Sequence, residues 1–129
     1  MKQKGFTLLE ILLVITALAI LLAIVIVAIS PNRQLAQIRN TQRSRNTESI
    51  YKAIRQYQID NDGDLPTEIE SIPLYGVREI CNSQTNESDC TSQDLLYLTD
   101  YLAPVYIADI PNDPQATGDG TGYLLIRDN

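Results

Sequence analysis

Histidine is absent from the 129 residues. That excludes Ser-His-Asp and Cys-His nucleophile–base pairs and every imidazole metal ligand. Two cysteines are too few for a structural zinc site made by one chain. Tryptophan is missing and phenylalanine occurs once, so any folded core is small. The length allows one domain at most. Glycine and proline are absent between Phe6 and Ser30, so nothing breaks a helix there.

What fills that interval is apolar. Residues 6–29 contain only Thr7, Glu10 and Thr16 as polar side chains. At 1.5 Å per residue, a helix of that length spans roughly 36 Å, enough to cross the hydrocarbon core with some tilt. The run is too long for a secretory signal, and no A-x-A cleavage site follows it. It reads as a retained membrane anchor. Pro31 either kinks one long helix or opens a second, with Ser30 as its cap.

Charge is divided along the chain. Residues 1–55 carry eight Lys/Arg and two Asp/Glu; residues 56–129 carry two Lys/Arg and fourteen Asp/Glu. The acidic part repels nucleic acid, so no direct nucleic-acid binding is expected. The basic part suits anionic lipid or the acidic part of another copy.

Residues 33–59 hold no Gly or Pro and read as helix. Leu35 and Ile38 are followed by eleven polar residues, then Ile50, Ala53, Ile54 and Tyr57 at helical spacing. The middle turns look solvated all round, and the last turns have a face to bury. The segment Asn61-Asp62-Gly63-Asp64, with Pro66 after it, ends the helix. Five of six Pro and five of six Gly lie from residue 63 onward, so a turn-rich head is expected there. Residues 74–80, 105–107 and 123–127 read as strands, with Leu124 and Ile126 on one face of the last. Thr91-Ser92-Gln93-Asp94 reads as a capping box opening a helix through Leu95, Leu98 and Leu102.

Cys81 and Cys90 lie nine positions apart. A disulfide stapling a polar loop is expected in an oxidising compartment, with two free thiols as the alternative; a redox pair would read C-x-x-C. Asn86-Glu87-Ser88 fits the N-glycosylation pattern, but three-residue patterns recur by chance. Residues 110–123 are rich in turns and oxygen donors. Asp113 and Asp119 are weak calcium candidates there, and the spacing is not that of an EF-hand loop. Gly118-x-Gly120-x-Gly122 is no nucleotide loop, because no helix follows it. The pairs Asp62/Asp64 and Glu68/Glu70 read as solvated loop charges, not a glycosidase pair. No nucleophile–base set exists, so an enzyme is not expected.

The N-terminus is the most specific feature. Lys2 and Lys4 precede Gly5, and then come Phe6-Thr7-Leu8-Leu9-Glu10 and the apolar run. Thr7-x-x-Glu10 alone is an ordinary capping box. With its flanks, the segment resembles the class III signal of type IV pilins and the related pseudopilins. The resemblance implies an α+β, pilin-like fold: a long N-terminal helix, half membrane-spanning and half stalk, on a small antiparallel-sheet head. It divides the chain into a leader (1–5), a membrane and filament-core helix (6–30), a helical stalk (31–62) and a head (63–129). It implies cleavage between Gly5 and Phe6 by a prepilin peptidase, and N-methylation of Phe6. The subunit would wait in the cytoplasmic membrane with its head outside. It would then enter a homo-oligomeric filament at the cell surface, driven by a cytoplasmic ATPase on a membrane platform. Glu10 would compensate the Phe6 amine of a neighbour. No cofactor is implied beyond the weak calcium candidates.

The chain departs from the family in lacking the usual Gly and Pro within the apolar segment. Arg33, Arg39, Arg43 and Arg45 outnumber the leader's lysines, and a raw positive-inside count would put the head in the cytoplasm. The resemblance and the cysteines favour the opposite orientation. The leading expectation is a type IV pilus subunit. A pseudopilin of a secretion-type or DNA-uptake machine is the nearest alternative. A membrane-anchored binding protein that never polymerises is the alternative from another class.

Overall fold

The computed structural model describes residues 5–128. The expected leader's lysines, Lys2 and Lys4, lie outside the described residues. By internal contacts the chain divides between Gln37 and Ile38 into two units.

The first unit is built on helix α1, Leu8–Ala28. Thr7 caps it, its side-chain oxygen accepting the Glu10 N–H at 3.2 Å, and so satisfies one of the open N–H groups of the first turn. The only hydroxyl inside the helix, that of Thr16, donates to the Leu13 carbonyl at 2.9 Å, leaving no free donor in an apolar setting. No residue of α1 is buried within the chain. A helix apolar on every side needs lipid or other helices around it. It stops at Ile29, which turns extended (φ −89°, ψ 101°). Helix α2, Pro31–Asp60, starts directly afterwards. Pro31 is its first residue, where a missing N–H costs nothing. The Ser30 carbonyl accepts from the Arg33 and Gln34 N–H groups. Pro31 therefore opens a second helix.

The second unit is the head together with α2 from Ile38 onward. Ile50 and Ala53 of α2 are buried, with Ile54 and Tyr57 packed beside them. At the end of α2, Gly63 (φ +102°) donates its N–H to the Gln58 carbonyl at 2.8 Å. That closure needs a left-handed residue, which glycine supplies without strain. Short helix α3, Thr67–Glu70, follows. Strand β1, Val77–Cys81, pairs antiparallel with β2, Gly120–Ile126. Val77 faces Ile126 and Glu79 faces Leu124; a bulge between Glu79 and Cys81 then shifts the register to Cys81 opposite Gly120. The core joins α2, Ile69, Ile72, Ile80, Leu96, Leu98, Leu102, Ile110 and Tyr123. This is the α+β, pilin-like architecture expected from the sequence.

Three expectations need correction. The strand expected from residue 74 begins at Val77, because residues 73–76 form a turn closed by the Gly76 N–H on the Pro73 carbonyl. Thr91–Asp94 ends a helix instead of opening one. Helix α4 is Glu87–Ser92, and Asp94 has φ +58°. Leu96 is recruited to β1, donating to the Glu79 carbonyl at 2.8 Å while its own carbonyl accepts the Cys81 N–H at 2.9 Å. These bonds win over a helix through Leu95, and only α5, Thr99–Leu102, remains helical. Residues 105–107 are not a strand: the Tyr106 and Ile107 N–H groups fold back onto the Leu102 carbonyl. Leu124 and Ile126 do share a face, but it is the outer one. Thr121 and Tyr123 turn inward.

Cys81 and Cys90 are disulfide-bonded, with Cα atoms 5.9 Å apart and no exposure. The bond ties β1 to α4 across a short polar loop. Closing a loop of that size stabilises a fold by about 2–3 kcal/mol. Replacing both cysteines by alanine is expected to lower head stability by that amount in denaturant titration, and adding reductant to the wild type should do the same.

Candidate functional site

Two regions carry the candidate residues. At the N-terminus, Gly5 and Phe6 precede the helix and are exposed, Phe6 at 78%. A Cβ placed on Gly5 would touch nothing within 4 Å, so the fold itself makes no demand for glycine there. Glu10 lies in the first turn of α1. Its N–H is taken by Thr7, but its carboxylate has no partner among the described residues. It is also the only acidic residue of an otherwise apolar helix. A carboxylate in that setting is costly until a cation meets it. Phe6 is four positions earlier on the same chain. The capping bond and a free carboxylate therefore coexist: the backbone amide serves the cap, and the side chain remains available.

The second region joins α2 to the loop before β2. Arg43 grips Asp113 with two donors. Nε bonds Oδ2, and Nη2 bonds Oδ1 at 3.2 Å while also reaching Gln115 Oε1 at 2.8 Å. The Gln115 N–H donates to Asp113 Oδ1 at 2.8 Å. One turn on, Asn46 Nδ2 donates to the Asn112 carbonyl at 3.1 Å and to the Tyr123 hydroxyl at 2.9 Å. The solvated middle of the stalk is thus in part an anchor. Arg43, Asn46, Ile50, Ala53 and Tyr57 fall at alternating spacings of three and four, one continuous helical face. That spacing was the available signal, hidden because its first two members are polar.

Asp113 and Asp119 do not share a ligand. Asp119 instead accepts from Thr85 Oγ1 at 3.1 Å and Gln93 Nε2 at 2.7 Å. Donors, including a guanidinium, occupy the oxygens that a calcium ion would need. Among the described residues no three His, Cys, Asp or Glu gather as a metal cluster. The residues do not fit a calcium site.

The Arg43 hydrogen bond is the main cause that holds the Asp113 carboxyl below its ordinary value near 3.8; the Gln115 amide adds to it. A depressed carboxylate stabilises the fold above its unfolded value and loses that contribution as pH falls through the lower folded value. The loop is therefore expected to loosen in acid below about pH 4. Hydrogen exchange of residues 112–116 should accelerate there in the wild type. In Arg43→Gln it should already be fast at neutral pH.

The glycine-rich segment has a role that its spacing did not reveal. The Gly122 N–H donates to Glu79 Oε1 at 2.8 Å, and a Cβ on Gly120 would lie 2.2 Å from the same oxygen. The glycines make room for a carboxylate from the neighbouring strand at the bulge.

The chain is similar to known proteins in its N-terminal segment and beyond it. The prokaryotic N-terminal methylation motif matches residues 1–29. The type II secretion system core protein G of Pectobacterium carotovorum subsp. carotovorum is 28% identical over 126 residues, covering 98% of this chain and 68% of that protein. The ComG operon protein 3 homolog of Bacillus licheniformis is 36% identical over 70 residues, covering 54% of this chain and 70% of that protein. No solved structure matches the chain. With the methylation motif on an unbroken apolar helix, and that helix followed by a small α+β head, the chain belongs to the type IV pilin and pseudopilin family of structural filament subunits.

Proposed function

We propose that this chain is a filament subunit that assembles through α1 after cleavage between Gly5 and Phe6. The observation that carries the reading is the Glu10 carboxylate, without a partner among the described residues, at the start of a helix with no other charge. Removing residues 1–5 creates an amine at Phe6. Within one copy that amine sits just outside the positive end of α1 and cannot relieve the apolar surroundings of a neighbour's Glu10 without a second chain. Between copies, amine and carboxylate neutralise each other as the helices pack, and this fixes their register. N-methylation of Phe6 keeps the charge. Before assembly α1 anchors the subunit in the cytoplasmic membrane, head outward, and the stalk arginines lie near the headgroups. After assembly Arg33, Arg39 and Arg45 face acidic heads of other copies, while Arg43 stays on its own Asp113, so the filament is salt-sensitive. A prepilin peptidase and an assembly ATPase on a membrane platform are the partners that this route requires.

A surface type IV pilus and a short pseudopilus both use this chemistry. The likeness to a type II secretion core protein over 98% of the chain favours the pseudopilin form as the second reading. Intact mass and N-terminal sequencing of the protein from its own membrane tests the shared step. A chain beginning at Phe6 with one added methyl group is the expected result. Retention of residues 1–5 beside an active prepilin peptidase would overturn it in favour of a membrane-anchored binding protein. Long fibres on the cell surface would then select the pilus, and their absence the pseudopilus.

A further inference from the structure

The head has a groove that its own chain leaves open. It runs between α2 and the C-terminal end of β2, with a volume of about 260 Å³, over Ile54, Leu65, Ile69 and Leu125. A second hollow of about 180 Å³ continues it past Tyr51 and Ile126. Both of those residues are more than half exposed. Among the described residues β2 pairs on one edge only, with β1.

The groove's charge is out of keeping with its surroundings. Residues 56–129 carry two cations against fourteen acids, and one of the two, Arg127, lines this groove together with Arg55. Both guanidiniums are held by neutral groups. Arg55 stacks 5.2 Å above the Tyr51 ring and bonds the Tyr51 hydroxyl and Gln58. Arg127 bonds the Glu70 and Ile72 carbonyls. Among the described residues neither has an ion-pair partner. Asp128 also lines the groove but forms no ion pair with either arginine, so two fixed cations face one acid and the lining stays net positive.

A complementary element lies further along α2. Ile59 is 71% exposed, and beyond it Asp62 and Asp64 are exposed at the turn. Neither carboxylate has a cation partner among the described residues. We infer that the groove receives the end of α2 from a second copy of this chain, with Ile59 seated on the apolar floor and Asp62 and Asp64 meeting Arg55 and Arg127.

The two surfaces differ, so the contact is heterologous. It repeats from copy to copy instead of closing after two, which is what an open filament requires. Arg55 lies on α2 and Asp62 in the turn just past its end, so each contact shifts the next copy along α2. An exposed pair of charges adds little by itself. Its part here is to choose register, while the buried α1 helices supply most of the association. The inference rests on the filament reading above and names the head contact within it.

Charge exchange tests it in the full chain in its own host. Arg55→Glu alone and Asp62→Arg with Asp64→Arg alone are expected to lower filament yield at least tenfold, with subunits still cleaved and heads still disulfide-bonded. Combining the three changes should restore yield to within about twofold of wild type. As an independent readout, Tyr51→Cys with Ile59→Cys should give ladders of oxidised multimers in filaments, and neither single cysteine should exceed a dimer. Normal yield from Arg55→Glu, or no rescue by the combination, would overturn the contact while leaving the filament reading intact. Wild-type protein that is never found as a filament would overturn both.

Discussion

Replacing Glu10 by alanine is expected to abolish filaments while the head folds normally. The carboxylate has no partner among the described residues, so an isolated subunit is expected to lose no contact. In the filament the loss falls on the neighbour. Its Phe6 amine would be packed among apolar helices with no counter-charge, and breaking one side of a buried ion pair typically costs about 3–5 kcal/mol. Repeated at every subunit, that penalty stops growth. Gly5→Leu is expected to give the same phenotype by a different route. A side chain at Gly5 meets nothing within 4 Å, so folding is untouched and the block falls on leader removal. Electron microscopy of both variants, with circular dichroism and disulfide mapping of the extracted protein, separates assembly from folding. Normal filaments from both would sink the mechanism.

Leu102→Ala is expected to produce the largest loss of stability of any single truncation in the head. Leu102 is fully buried, and its N–H and carbonyl hold α5 and the turn after it. Deleting a buried leucine side chain costs about 2–5 kcal/mol, according to how far the site collapses. A core this small has few neighbours able to move in. The melting temperature should fall on the order of 10–20 °C, and the disulfide should become accessible to mild reductant. By contrast Leu124→Ala, on the outer face of β2, should change stability by less than about 1 kcal/mol. A similar effect from both would mean that the inner and outer faces of the sheet are misassigned.

The parts of the fold that the sequence foretold are those governed by local chemistry. The uninterrupted apolar run, Pro31 and the Asn61–Asp64 stop mark the helices because each acts within a turn of itself. The N-terminal motif was readable for the same reason: its residues are contiguous. The head was read less well because its decisions are non-local. Leu96 follows a helical spacing, yet two backbone bonds to β1 hold it extended. Arg43 and Asn46 looked like members of a solvated run because their partners, Asp113 and Asn112, lie far along the chain. Asp113 read as a cation ligand because its guanidinium partner could not be placed beside it. Glu79 and Gly120 gave no sign of meeting until the bulge in β1 brought them together.

The cap on α1 bears on the order of events in maturation. Thr7 lies on the retained side of the Gly5–Phe6 bond, and its oxygen holds the Glu10 amide. Severing that bond therefore leaves the helix wound to its first turn. What changes is electrical: a full positive charge appears beside an end that already carries the positive pole of the helix. Like charges would then crowd the same few ångströms, with Glu10 one turn along the nearest acid in sequence. On the proposed route, proteolysis would concentrate positive charge at a point where another subunit's acid could relieve it. Lys2 and Lys4 would leave with the cut and the charge replacing them would be fixed to the helix itself, so processing would decide when a subunit can be paired.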